Sequence, residues 1–142
     1  MARFYPQGDA LGPFNVDASA TPVVYWRAPE RCVLSSITVT TSTGIAADKT
    51  NIATVTATNL GSAGAGTTVV ATRTTDSDVT GSGAIVAKVP WTLINSATAA
   101  NLEIEAGDVL EIAFTEGGTA ASGDMTNVTL NINTIPGAGI GA

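Results

Sequence analysis

The sequence predicts an all-β fold, an antiparallel sandwich of two packed sheets. Three observations predict it. Apolar residues recur with period two in short runs separated by Gly, Pro, Asn and Asp, the pattern of strands that bury one face and wet the other. Threonine and valine, β-branched and stiff at χ1, fill those runs. Charged residues are only 13% of the 142-residue chain, and aromatics only 5%, so the core must come from Val, Ile, Leu and Ala. A single domain of this length buries roughly 70% of its unfolded surface.

The first element is not a strand in this reading. Residues 1–22 carry Pro6, Pro13 and Pro22 with Gly8 and Gly12 between them, which forbids helix and favours extended or turning backbone. Five of the seven aromatics (Phe4, Tyr5, Phe14, Tyr25, Trp26) lie in the first 26 residues, so the segment is no solvated linker. It reads as an N-terminal docking arm, with Arg3, Phe4, Tyr5 and Phe14 set to bury against another chain. The competing reading is that it folds back on its own sandwich.

The sandwich is expected over residues 23–134. Val23-Val24-Tyr25-Trp26 forms a short strand closed by Pro29. Residues 31–41, 51–59 and 67–75 follow, with Val, Ile and Ala alternating against Ser and Thr. Residues 84–94 carry a strand around Trp91, which Pro90 places at an edge or a strand start. Leu102 and Ile104 alternate with Glu103 and Glu105, and Ala106-Gly107-Asp108 turns the chain. Residues 109–114 and 127–133 complete eight strands, and eight strands in two sheets make a jelly roll. Residues 135–142 read as a flexible Gly-rich tail.

The residues argue against an enzyme and imply no cofactor. With no histidine, the usual general base and metal ligand is missing and the serines have no imidazole partner. Glu103, Glu105 and Glu111 suggest a glycosidase pair, but the alternation places them together as an exposed acidic face. Asp76-Ser77-Asp78 offers two carboxylates for calcium without the glycine and terminal glutamate of an EF-hand loop, so no metal site is assigned. Gly61–Gly66 is glycine-rich but lacks the following Lys-Ser/Thr of a phosphate loop. Trp26 and Trp91 are read first as core plugs, then as candidate subunit-contact residues, and last as a sugar platform. Cys32 is alone in an apolar run, so it pairs with no other cysteine of the chain.

Charge and hydropathy narrow the partners. Twelve acids oppose six bases for a net charge of −6, and from Glu103 to Asp124 there are six acids and no base. Nucleic acid, whose phosphates need cations, is an unsuitable partner. No stretch reaches the roughly 20 apolar residues of a membrane span, and Met-Ala-Arg-Phe-Tyr-Pro has no signal-peptide core, so synthesis in a cytoplasm without signal cleavage is expected.

Three stretches carry a resemblance. They are Ala46-Ala47-Asp48-Lys49-Thr50-Asn51, Gly83-Ala84-Ile85-Val86-Ala87, and the run from Ala99 through Glu103-Ile104-Glu105-Ala106-Gly107-Asp108 to Leu110. Over residues 30–133 the chain resembles the decoration, or cement, proteins of tailed-bacteriophage heads. The resemblance implies a β-sandwich, often a trimeric jelly roll, bound to the major capsid protein on the outer surface of the virion and assembled in the host cytoplasm. It transfers no individual residue roles. The alternative function is a carbohydrate-binding module of a virion fibre or adhesin.

Overall fold

The structure, a computed structural model, describes residues 7–16, 22–117 and 125–137. Ten strands in chain order are β1 (Gln7–Val16), β2 (Val23–Arg27), β3 (Cys32–Thr40), β4 (Ile52–Asn59), β5 (Thr68–Thr74), β6 (Trp91–Thr92), β7 (Ile94–Asn95), β8 (Glu103–Ile104), β9 (Val109–Gly117) and β10 (Met125–Pro136). One 3₁₀ turn, Ala99–Leu102, precedes β8. The first sheet runs β1-β10-β3-β6, with β8 also on β3; the second runs β2-β9-β4-β5-β7. Every ladder is antiparallel. The pairs β1 with β10, β2 with β9, β3 with β6 and β8, and β4 with β5 nest inside one another, as in a long hairpin wrapped into two layers. That is the jelly roll.

The eight strand positions differ from the expected set at both ends of the count. Gln7–Val16, read from the sequence as arm, is the edge strand of the first sheet, in register with β10 from Gln7↔Thr134 to Val16↔Met125. Gly12 and its one proline, Pro13, fall in the first of two register shifts that flank Phe14. Gly12 (φ 114°) lies so close to β10 that a Cβ there would sit 2.4 Å from the Val128 carbonyl oxygen. An edge strand tolerates this, because proline removes a donor only from the unpaired side. Conversely, the expected strand over 84–94 shrinks to β6. Together with β8 it fills one position, the sixth, which is split by an excursion to β5. At the C-terminus β10 continues through Pro136, which pairs with Cys32, so the sheet extends into the segment read as tail; residues 138–142 lie outside the described residues.

The core lies between the sheets. Ile37, Val39, Val128, Leu130 and Ile132 of the first sheet face Val55, Ala57, Leu110, Ile112 and Phe114 of the second, all at 1% exposure or less. Alanines at 53, 57 and 71 make the second sheet's inner face shallow, so the larger side chains opposite can interdigitate. Val16 is fully buried, and Phe14 meets Phe114 edge-on at 5.2 Å between ring centroids.

Two buried groups carry predictions. Thr75 is fully buried; its Oγ1 accepts the Ala53 N–H at 2.9 Å, and its own N–H donates to the Ala53 carbonyl at 2.9 Å. Thr75→Val keeps the shape and strands the Ala53 donor, so urea unfolding reads a loss of about 1–3 kcal/mol. Thr75→Ser, which keeps the acceptor, loses less. The Cys32 thiol is buried, and burial pushes its pKa up, partly offset by a hydrogen bond with Thr134. Thiolate is the reactive species. A thiol reagent at pH 8 therefore labels Cys32 only in denaturant; rapid labelling of the native protein would contradict its placement.

Candidate functional site: the outer face of the second sheet

Cross-strand register builds this face in rows. One row is Val23, Ala113, Thr56, Thr72 and Ile94; the next is Tyr25, Glu111, Thr58 and Val69; a third is Thr115, Thr54 and Thr74. Period two sends these side chains outward because their neighbours, Ile112, Val55 and Ala57, are buried. Threonine hydroxyls pair across the strands, Thr54 to Thr74 at 3.1 Å and Thr56 with Thr72 at 3.0 Å, so each hydroxyl already has a protein partner. Of the large apolar side chains exposed among the described residues, Val23, Tyr25 (60% exposed), Val69 and Ile94 (47%) lie on this face and Val79 stands beside it. The outer face of the first sheet instead presents Ser36, Thr38, Thr40, Thr129, Asn131 and Asn133.

At the β5–β7 side the face deepens into a groove of about 570 Å³. Thr54, Thr72, Arg73 and Thr74 line it from the strands, with Ile52 and Ile94 beside them and Asp76, Val79, Thr80, Gly81 and Ser82 contributed by the loop that roofs it. The roof, loop 76–83, is braced at several points. Asp76 N–H donates to Thr74 Oγ1, Asp78 N–H to Asp76 Oδ1 at 2.9 Å, Ser77 N–H to the Asp48 carbonyl at 3.0 Å, and Gly83 N–H to the Thr74 carbonyl at 3.3 Å. Lys49 Nζ lies 2.8 Å from Asp78 Oδ1. Gly81 has φ 82° and is pressed onto Ile94, where a Cβ would meet Cδ1 at 2.8 Å. Beside the groove Trp91 is buried and its Nε1 donates to the Gly83 carbonyl at 3.2 Å; Arg73, part of the groove's lining, lies over its ring at 5.0 Å while donating to the Thr92 carbonyl.

The residues singled out in the sequence fall in separate places. Arg3, Phe4 and Tyr5 lie outside the described residues. Phe14 packs on Phe114 of its own sandwich, which is the fold-back reading for that ring. Trp26 and Trp91 are both core side chains, so neither offers a ring to a second subunit or a sugar. Trp26 Nε1 donates to Asp9 Oδ2 at 2.6 Å and ties β2 to β1. Nor do the three glutamates share one face. Glu103 and Glu105 flank Arg31, at 3.8 and 3.4 Å, on the first sheet's side, whereas Glu111 lies half-buried on β9 between Tyr25 and Thr58. Alternation along one strand was legible, but residues 103–105 and 109–117 belong to different sheets. The carboxylates of the 48–78 region serve the turns: Asp48 accepts the Asn51 and Thr50 N–H groups, and these bonds hold its pKa below the usual carboxylate value. Among the described residues no group of three His, Cys, Asp or Glu side chains is placed to hold a metal, and no helix is long and apolar enough to cross a membrane. The groove itself was missed; its signal was present only in the spacing of Thr54, Thr72 and Thr74, which no local pattern links.

No family model and no curated protein matches the chain. Among solved structures, one of infectious bursal disease virus, Gx strain, is similar over 97% of this chain at 15% identity, with a TM-score of 0.36. This chain covers 31% of that one, less than a third of its length. At that score the likeness assigns neither a family nor a role.

Proposed function

We infer that this chain is a non-enzymatic structural protein of a phage virion, decorating the outside of the head as a homotrimer and cementing the major capsid protein lattice. The observation that carries the reading is the concentration of exposed apolar side chains on one sheet face, separated by paired threonines and interrupted, among the described residues, only by Glu111 and, at the end of β2, Arg27, charges of opposite sign. A face of that kind favours contact with protein, since burying it leaves little charge unpaired. The phage head comes from the resemblance over residues 30–133. Within this reading the Val23–Tyr25 side meets the lattice, and the side with Glu103, Glu105 and Arg31 faces solvent, where an exposed ion pair costs nothing to leave wet. The carbohydrate reading has less support, because both tryptophan rings are inside.

Purified heads lacking the protein provide the test. Sedimentation with added protein is expected to show saturable, stoichiometric binding, and Tyr25→Asp is expected to abolish it while the fold persists. Failure of the wild-type protein to bind heads, or binding unchanged by Tyr25→Asp, would overturn the assignment of that face. Native mass spectrometry reports the trimer independently.

A further inference from the structure

We propose that the groove under loop 76–83 receives the Arg3-Phe4-Tyr5 segment of a second copy of this chain. The proposal rests on the homo-oligomer in the reading above, and not on attachment to a particle. The groove suits aromatic rings: Ile52, Ile94 and Val79 line it together with threonines, and Arg73, also in its lining, can stack on a ring as it does on Trp91. Its roof is already braced by the hydrogen bonds described, so a ring enters a formed site without the cost of ordering the loop. Asp76 at the rim offers a carboxylate to Arg3, a cation the acidic chain otherwise has few of.

Reach decides which copy supplies the segment. The Trp26–Asp9 bond ties β2 to β1 at one edge of the sandwich, and the Arg73–Trp91 stack ties β5 to β6 at the opposite edge. Gln7 opens β1, and the groove lies outside β5, so they are at opposite edges of different sheets. Three strand spacings of about 4.8 Å and a sheet separation of about 10 Å put them roughly 17 Å apart through the core, and the path around the surface is longer. Phe4 precedes Gln7 by three residues, a span of about 10 Å at most. A segment anchored at Gln7 therefore cannot fill its own groove, and a neighbour's groove is the one open to it. Such a contact is heterologous, and three of them close a ring.

The test uses full-length proteins. Tyr5→Cys and Val79→Cys variants are mixed and oxidised with oxidised glutathione; a disulfide-linked heterodimer is expected. The pairing of Tyr5→Cys with Tyr25→Cys, at the far edge of the same sheet, is the control. Native mass spectrometry is expected to show self-association weakened at least about tenfold by Phe4→Ser/Tyr5→Ser and by Val79→Arg. Crosslinking no better than the control, a monomeric wild type, or oligomers indifferent to Phe4→Ser/Tyr5→Ser would each overturn the proposal. So would a small apolar molecule retained by the wild type and lost in Val79→Arg. Wild-type oligomers that fail to bind heads would count against the capsid reading alone.

Discussion

Replacing Phe114 with alanine is expected to cost about 3–5 kcal/mol, the usual price of deleting a buried phenyl ring. Phe114 is fully buried in β9, and its ring sits against Phe14 at an interplanar angle of 78°. Both sheets line the resulting cavity, and neither relaxes readily, because each is held by continuous ladders. Urea unfolding of Phe114→Ala, Phe14→Ala and the double variant also measures whether β1 belongs to the sandwich in solution. An edge-on aromatic pair contributes roughly 0.5–1.5 kcal/mol beyond its area, and the cycle should recover a coupling of that size. A Phe14→Ala variant as stable as the wild type would return residues 7–16 to the role of a free docking segment.

Trp91→Ala has an effect of similar size, about 3–5 kcal/mol, reached by a different route. The indole fills the end of the core, satisfies the Gly83 carbonyl, and supports the Arg73 guanidinium. Its removal leaves a cavity, an unpaired carbonyl at the end of loop 76–83, and a cation without its aromatic platform. Hydrogen exchange in that loop should accelerate alongside the global loss. Trp91→Phe separates the two contributions, because it keeps most of the packing and loses the Nε1 bond. Equal destabilisation by both variants would mean that the hydrogen bond, and not the ring, dominates.

The alternation in β3, β4, β9 and β10 was legible because each of these strands has a buried side and a wet side, and the residues record it one by one. Residues 7–16 were misread for a local reason. Proline and glycine signal broken structure, and only the partner strand β10, more than a hundred residues away, turns Gln7–Val16 into an edge. The sixth position was misread because its pairing residues sit in fragments of two, too short for any period to show. The paired threonines of β4 and β5 explain the chain's unusual composition, yet a composition cannot say which threonines meet. For the same reason the groove was invisible: its floor comes from two strands, and its roof from a loop whose shape depends on Gly81.

The fragmented sixth position has a consequence for how copies stack. Along β3 the outer rim is occupied by Trp91 and Thr92, by the Leu93 N–H on the Ile37 carbonyl, by the Asn95 amide on the Ser35 carbonyl, and by Glu103 and Ile104. Along β5, Ile94 and Asn95, the Ser96 N–H on Val70 and the Gly83 N–H on Thr74 do the same. Neither rim offers a run of bare amides to a stranger. The opposite rims are single continuous strands, ten residues of β1, regular only as far as Leu11, and five of β2. A ribbon of indefinite length needs a template on both sides of every unit. This molecule has one, so strand-to-strand association ends at a pair, and a protein poor in charge is kept from polymerising by the irregularity of a single segment.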